Sequence, residues 1–452
     1  MDYAVTAFAL ALLAAALGYA ININLGDYAP AAMVWLTISI VLGLAAILLP
    51  SCPGLERFSQ RVLPMALAIS IAIQSYHLLS ETSIDRRINE ALAVIAILGL
   101  AQFFPLRGLR MSLMLIMCGA FFFASRIVFV RYAPSIDVFN FQETACWALK
   151  HGLNPYTFHY PSVYPPGTPY YGPGIVDSRG MLTVGFPYPP LSLLMVLPAF
   201  VTVGDVRYAM VIAMGLSAIV MTLAHPGRIG PLAAALFLLT PRAIYVENLS
   251  WTEPLLVLVF SLVMISALRW PKAIPWVFGL YLSTKQYAVL AIPLLPLLLE
   301  GPNLWKSLWE LLVKAASVAA VINLPFFAWN PHAFFRSTVE FQFLQPFRQD
   351  AMSYLVLIFH RTNGLKLPIW ASLPPLAIAI ALCLWRAART PAGFAASVAV
   401  THMIFFAFNK QAFCNYYYFV IAVACWSIAA ARIAPPSRQK PQVPRRLGNL
   451  CQ

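Results

Sequence analysis

The chain has 452 residues, of which 61% are hydrophobic and only 10% charged. A soluble domain carries about a quarter charged residues, so this composition excludes an ordinary soluble enzyme and points to an all-α polytopic membrane protein. The formal charge of +14 is spread over short turns between apolar runs, which argues against a nucleic-acid partner and reads as a membrane-orientation signal.

In chain order, apolar segments fall near 4–22, 31–50, 62–80, 90–105 and 110–130. After a polar excursion over 131–188 come 189–203, 207–224, 229–246, 252–269, 273–284, 286–300 and 308–327. A second excursion precedes 367–386, 393–408 and 414–432. Several of these are shorter than the ~20 residues that cross hydrocarbon and read as half-helices or tilted pieces. The pattern predicts about 12–14 transmembrane helices. The first segment, AVTAFALALLAAALGYA, lacks a basic leader and an evident cleavage site, and reads as a retained helix. The 36 prolines and 22 glycines fall inside or beside apolar segments, where neighbouring helices satisfy the freed backbone groups. The seven cysteines show no CxxC pair and no metal-ligand spacing; a Cys146–Cys414 bridge stays open on grounds of sidedness.

The basic turns 56–61, 105–110, 269–272, 386–390 and 437–446 set the cytoplasmic side. Helix 110–130 then delivers Asp137 to the outer side, which it shares with Lys285, the 328–366 loop and the 409–417 turn. Two features resist. Counting crossings through 204–251 gives the wrong parity, so one piece there is re-entrant or miscounted. Arg86 and Arg87 also fall outside, against the rule.

Residues 138, 141, 145, 148 and 149 place apolar side chains on one helical face, with Gly152 and Pro155 as stop signals. This predicts a short amphipathic helix in the membrane interface. Asp137 reads either as its N-cap or as a functional acid at the level of lipid headgroups. The loop that follows is rich in Tyr and Pro, part of it an interfacial belt and part a surface for stacking a sugar.

An acid just past a transmembrane helix, a juxtamembrane helix ending in Gly152-Leu-Asn-Pro-Tyr156, and a return through Tyr188-Pro-Pro-Leu191 together resemble the GT-C superfamily of membrane glycosyltransferases. The chain is most similar to glycosyltransferase family 87, the polyprenol-phosphate-mannose-dependent mannosyltransferases, over roughly 110–432. The family places this acid after its first helix, whereas about four extra helices precede it here. The division implied is additional N-terminal helices (1–109), a GT-C-like catalytic membrane domain (110–432, including the outer loop 131–188) and a basic cytoplasmic tail (433–452).

The resemblance implies a polyprenyl-phosphate-linked sugar donor bound at the outer leaflet of the plasma membrane and a lipid or glycan acceptor, with membrane lipids around both. It assigns Asp137 as the general base in an inverting transfer. Such chemistry requires a proton acceptor, positive charge for the leaving phosphate and a greasy groove for the polyprenyl chain. Candidates for the phosphate are Lys285, Lys410, His360 and Arg361. Candidates for substrate contacts are Glu143, Tyr156, His159, Tyr188, Gln286, Gln411, Asn415 and Tyr416. Arg336 and Arg348 read as lipid-headgroup contacts, Glu253 as a first-turn helix acid, and Asp177 as a turn residue. No HExxH, DxD, Walker loop or GxGxxG is present, so the expectation is no metal and no cofactor. A lipid or glycan flippase and a ligase or polymerase of lipid-linked glycans remain as alternatives. A flippase would call for ionisable groups near the bilayer midplane.

Overall fold

The computed structural model describes residues 3–49, 52–81, 86–106, 108–299 and 301–432. Arg107 and the tail 433–452, on which part of the orientation reading leaned, lie outside these residues. The described chain is all-helical. Five helices come first: α1 (Ala4–Asn22), α2 (Pro30–Leu48), α3 (Pro53–Glu81), α4 (Arg86–Ala101) and α5 (Arg110–Arg131). The predicted interfacial helix is α6 (Asp137–Lys150). Then follow α7 (Pro190–Val203), α8 (Arg207–Thr222), α9 (Ile229–Leu238), α10 (Ala243–Asn248), α11 (Glu253–Arg269) and α12 (Ile274–Leu282). A 3₁₀ run over Gln286–Leu298 leads to α13 (Leu304–Trp329). The second excursion carries α14 (Pro331–Phe335), α15 (Phe341–Leu344) and α16 (Tyr354–Arg361) before α17 (Leu373–Arg386), α18 (Pro391–Ala407) and α19 (Cys414–Ala430).

Six described helices are long and apolar enough to cross a bilayer, among them α1, α2, α3, α5 and α13. Their composition makes this an integral membrane protein. Shorter apolar helices complete the bundle: α18 and α19 have 17 residues each, about 25 Å at 1.5 Å per residue. Both are buried on nearly every side by other helices, so packing fixes them where length alone would leave them marginal. By contrast α13 buries only Leu311, Ala315 and Phe326 and is otherwise open to the surroundings of the bundle. α1 packs against α2, α3 and α19, and its residues share one apolar core with α18 and α19.

Hydrogen bonds between helix ends identify the two faces. On the basic face, Arg386 donates to Leu48 O (3.3 Å) and Arg228 to Phe103 O (3.1 Å). There too Arg269 donates to Leu223 O, and His225 Nε2 lies 3.1 Å from Ala430 O. On the opposite face Asn22 meets His77 (3.2 Å), Arg242 donates to Asn22 O (3.1 Å) and Arg207 donates to Tyr132 O (2.8 Å). These contacts resolve the parity problem. The piece that does not cross is α7, which lies just before the suspected stretch 204–251: its start follows Tyr188 on the Asp137 side, and it meets α8 at 117° beside the end of α5. Arg86 on this same face forms an i,i+4 ion pair with Glu90 at 2.7 Å, so its charge is offset locally.

α12 and the 3₁₀ run form a hairpin from the basic face with Lys285 at its tip. Pro293 and Pro296 fall within the run; each removes an N–H and crowds the preceding turn, so a regular α-helix cannot continue there. The turn joining α1 to α2 is equally constrained. Gly26 has φ +83°, and a Cβ there would lie 2.3 Å from Cys414 Cβ at the start of α19. Gly26→Ala is therefore expected to destabilise the protein by about 1–3 kcal/mol through overpacking and left-handed strain, read as a lowered unfolding midpoint in detergent micelles.

Candidate functional site

The excursions meet over one cavity of about 710 Å³ at the Asp137 end of the bundle. Asp137, Tyr188, Lys285, Gln286, Lys410, Gln411, Asn415 and Tyr416 all line it. These come from α6, the return into α7, the hairpin tip and the α18–α19 turn. The topology thus brings together residues separated by up to hundreds of positions.

Ile136 occupies the cap position of α6 with an extended backbone and makes no side-chain cap bond; Asp137 is the first helical residue. The N-cap expectation for Asp137 is therefore off by one position. Its carboxylate turns to the aromatic loop instead, where Oδ1 accepts from the Tyr164 hydroxyl and Oδ2 from the Tyr171 hydroxyl, each at 3.2 Å. The half-buried carboxyl is pushed above the usual carboxylate range by desolvation. The two tyrosines, the Val138 amide and the Arg348 charge pull it back. The tyrosines are held above their own ordinary values first by burial and then by the Asp137 charge, so they stay donors.

Tyr171→Phe removes a bond made to the ionised form. The apparent pKa of Asp137 then rises, and a reaction that uses the carboxylate as base loses rate on the acid side while recovering at higher pH. The acid limb of the kcat/KM profile is expected to move to higher pH.

Lys285 has a partner. Its Nζ lies 2.5 Å from Glu253 Oε1 in a buried ion pair, and the same oxygen accepts from Tyr287 (2.9 Å) and Asn415 (2.9 Å). The rings of Tyr188, Tyr287 and Tyr416 surround the ammonium at 5.3, 5.4 and 5.7 Å, an arrangement that stabilises a desolvated cation. Glu253 thus does more than open α11. Lys410 donates to Phe343 O (3.0 Å) and Gln345 O (2.5 Å). Both partners are neutral, so its positive charge is not offset as that of Lys285 is, and desolvation lowers its pKa. Gln286 donates to Pro187 O (2.6 Å) and Thr338 O (3.1 Å), and Gln411 to Pro346 O (3.2 Å), tying the hairpin tip and the α18–α19 turn to the loops.

Five candidates fall outside the lining. His360 stacks on Tyr28 (4.6 Å) and lies 3.2 Å from Gln349 O; Arg361, beside it at the end of α16, is exposed. Glu143 accepts from the Val206 amide (3.1 Å), holding α6 to the α7–α8 turn. Tyr156 is buried and donates to Tyr188 O (2.9 Å), and so supports the lining from behind. His159 is exposed on the loop. Asn154 of the Asn-Pro-Tyr element accepts from the Tyr156 amide (2.9 Å), a local turn that fixes the loop. Asp177 likewise accepts from the amides of Arg179 (2.8 Å) and Met181 (2.9 Å). Cys146 and Cys414 are both buried, and no disulfide joins them.

Several residues in and beside the cavity were not read from the sequence. Tyr164 and Tyr171 belong to the aromatic excess of the loop, but no spacing marked them as partners of Asp137. Arg348, read as a lipid-headgroup contact, instead lines the cavity. It forms a two-pronged pair with Asp350 (2.8 and 2.5 Å) and lies between the rings of Tyr170 (4.5 Å) and Phe413 (4.7 Å). Asp27 and Leu25, from the α1–α2 turn, also line the cavity. The remaining wall includes Val289, Leu290, Trp370 and Leu373. Val289, Trp370 and Leu373 are exposed on the bundle surface, so the cavity has an exposed apolar flank.

No protein-family model matches the chain, and no curated protein matches it. Among solved structures it is similar to the crystal structure of ArnT from Cupriavidus metallidurans bound to undecaprenyl phosphate, with 19% identity and a TM-score of 0.45. The match covers 71% of this chain and 59% of that one. The chain therefore spans less than two thirds of that protein, and a likeness of this degree assigns no activity.

Proposed function

We propose that this chain is a membrane glycosyltransferase that moves a sugar, mannose by the sequence resemblance, from a polyprenyl-phosphate donor to an acceptor hydroxyl on the outer side of the membrane. The observation that carries the reading is the half-buried Asp137 carboxylate, oriented by two tyrosine hydroxyls inside a cavity shared with cations and an exposed apolar flank. Every ionisable lining residue lies at one end of the bundle, which favours surface chemistry over passage through the midplane.

In this reading the acceptor hydroxyl gives its proton to Asp137 as its oxygen attacks the anomeric carbon from the face opposite the phosphate. The bond from that carbon to the phosphate oxygen breaks, its electron pair stays on the phosphate, and the configuration inverts. The new negative charge needs positive charge that is not already spent. Lys285 is neutralised by Glu253 and Arg348 by Asp350, which leaves Lys410 as the candidate. His360 acts at a distance, through its contact with Gln349 O in the loop that carries Arg348. The polyprenyl tail would leave between the 3₁₀ run and the start of α17, past Val289, Trp370 and Leu373. The N-terminal helices contribute Leu25 and Asp27 to the wall of the site.

The test is transfer of labelled mannose from a short polyprenyl-phosphate donor in proteoliposomes holding the full chain and a panel of lipid and glycan acceptors. Product that forms only with an acceptor present supports the reading. Movement of the labelled donor across the bilayer, without any product, would replace it with a flippase.

A further inference from the structure

The α1–α2 turn brings to the cavity an acid that the transfer mechanism does not use. Asn24, Leu25 and Gly26 have φ of +55°, +60° and +83°. Such backbone is costly for the first two and persists only where surrounding contacts hold it. Here the Tyr28 amide donates to Asp350 O (2.6 Å), Asp27 pairs with Ala351, and Gly26 packs on Cys414. Asp27 is thereby fixed in the cavity wall. Arg348, the cation beside it, is already held by both oxygens of Asp350. Among the described residues, no group donates a hydrogen bond to the Asp27 carboxylate. Burial and the Asp350 charge push its pKa up to about 6, so at neutral pH it is ionised with its acceptor positions open.

An ionised carboxylate is an acceptor only, with room for several donors. It repels a phosphate. A cationic ligand is disfavoured by Lys410 in the same cavity, whose charge is not offset by an acid. Neutral hydroxyl groups suit it best, and neighbouring sugar hydroxyls can donate to both of its oxygens. We propose that Asp27 is a specificity-determining residue that accepts hydrogen bonds from hydroxyls of the sugar held in the cavity. This rests on the glycosyltransferase reading and extends it, because it gives the N-terminal helices a direct part in substrate choice.

The experiment compares the full-length wild type with Asp27→Asn and Asp27→Ala in proteoliposomes, using donors and acceptors that each lack one sugar hydroxyl. The wild type is expected to discriminate against one deoxy compound by about 10- to 100-fold in kcat/KM, the value of a hydrogen bond to a charged group. In Asp27→Ala that ratio should fall close to one, while Asp27→Asn, which keeps the shape and one acceptor oxygen, should fall between. Loss with a deoxy donor or with a deoxy acceptor identifies which sugar is held. If both variants are slowed equally on all compounds and keep the wild-type ratio, the proposal is overturned and Asp27 is structural. If the wild type transfers from no polyprenyl-phosphate donor, the parent reading fails on its own. Asp27 is then judged by quenching of the cavity tryptophans Trp251 and Trp370 with methyl glycosides. Quenching lost in Asp27→Ala supports sugar binding there, and quenching that is unchanged or absent in both overturns it.

Discussion

Asp137→Asn is expected to lower the rate constant for sugar transfer by about 10²–10⁴-fold, the usual contribution of a positioned general base, and to leave the fold intact. The amide keeps the size of the carboxylate and can still accept from one of the two tyrosines, at Tyr164 or Tyr171. Asp137 sits in the first turn of α6, after the cap position that Ile136 holds, and the amide of asparagine remains an acceptor there. The group is half-buried and raised in pKa by desolvation. Replacing it with a neutral side chain removes a charge whose burial was unfavourable, so the unfolding midpoint should hold or rise. The discriminating result is a folded, donor-binding protein with a lost kcat and a nearly unchanged KM. A variant that transfers sugar at the wild-type rate would leave Asp137 as a structural acid and remove the base from the mechanism. The pH profile adds a second check: the wild type should lose activity as pH falls through the raised pKa of Asp137, and the residual activity of Asp137→Asn should lack that acid limb.

Much of this site was legible because hydrophobicity and charge follow the bilayer. The turns 56–61, 269–272 and 386–390 carry enough Lys and Arg to fix the side on which Asp137, Lys285 and Lys410 emerge. Three residues spread over 274 positions, 137 to 410, could thus be assigned to one face before any packing was known. The amphipathic α6 was readable from its spacing. What the pattern could not supply is which polar groups pair. Glu253 looked like a helix-start acid because a first-turn carboxylate is favourable at any helix. Its role depends on the hairpin tip folding back over α11, a long-range contact with no local signature. Arg348 was missed for a related reason: on a polar outer loop, an arginine that points to headgroups and one that points inward have the same neighbours in sequence. The false crossing at α7 arose because a 14-residue apolar helix reads alike whether it spans or lies along the surface. Only the 117° bend and the contacts of Arg207 with the end of α5 distinguish the two.

The largest expected effect on stability lies at the Glu253–Lys285 pair. Taking either charge from water is expensive, and their attraction returns that cost only while both are present and well bonded. Glu253 is fully buried and its Oε1 serves three donors, from Lys285, Tyr287 and Asn415. Lys285→Met leaves Glu253 with two neutral donors and no counter-charge. Glu253→Gln leaves the ammonium among three tyrosine rings, whose attraction is about 0.5–2 kcal/mol each at best. Each single change is expected to destabilise the protein by about 3–5 kcal/mol. The double change Lys285→Met with Glu253→Gln removes both charges, and the amide still has Tyr287 and Asn415 as partners. It should therefore be more stable than either single variant, and far from the sum of the two. Unfolding midpoints of the four proteins in one detergent provide the cycle. Additive losses would mean that the pair is not coupled and that Lys285 is solvated through the cavity. Activity separates a second role from this one. If the charge of Lys285 also serves the leaving phosphate, the stable double variant should lose kcat. If the pair only shapes the hairpin tip beneath Tyr188, kcat should be largely retained and Lys410→Met should carry the loss instead.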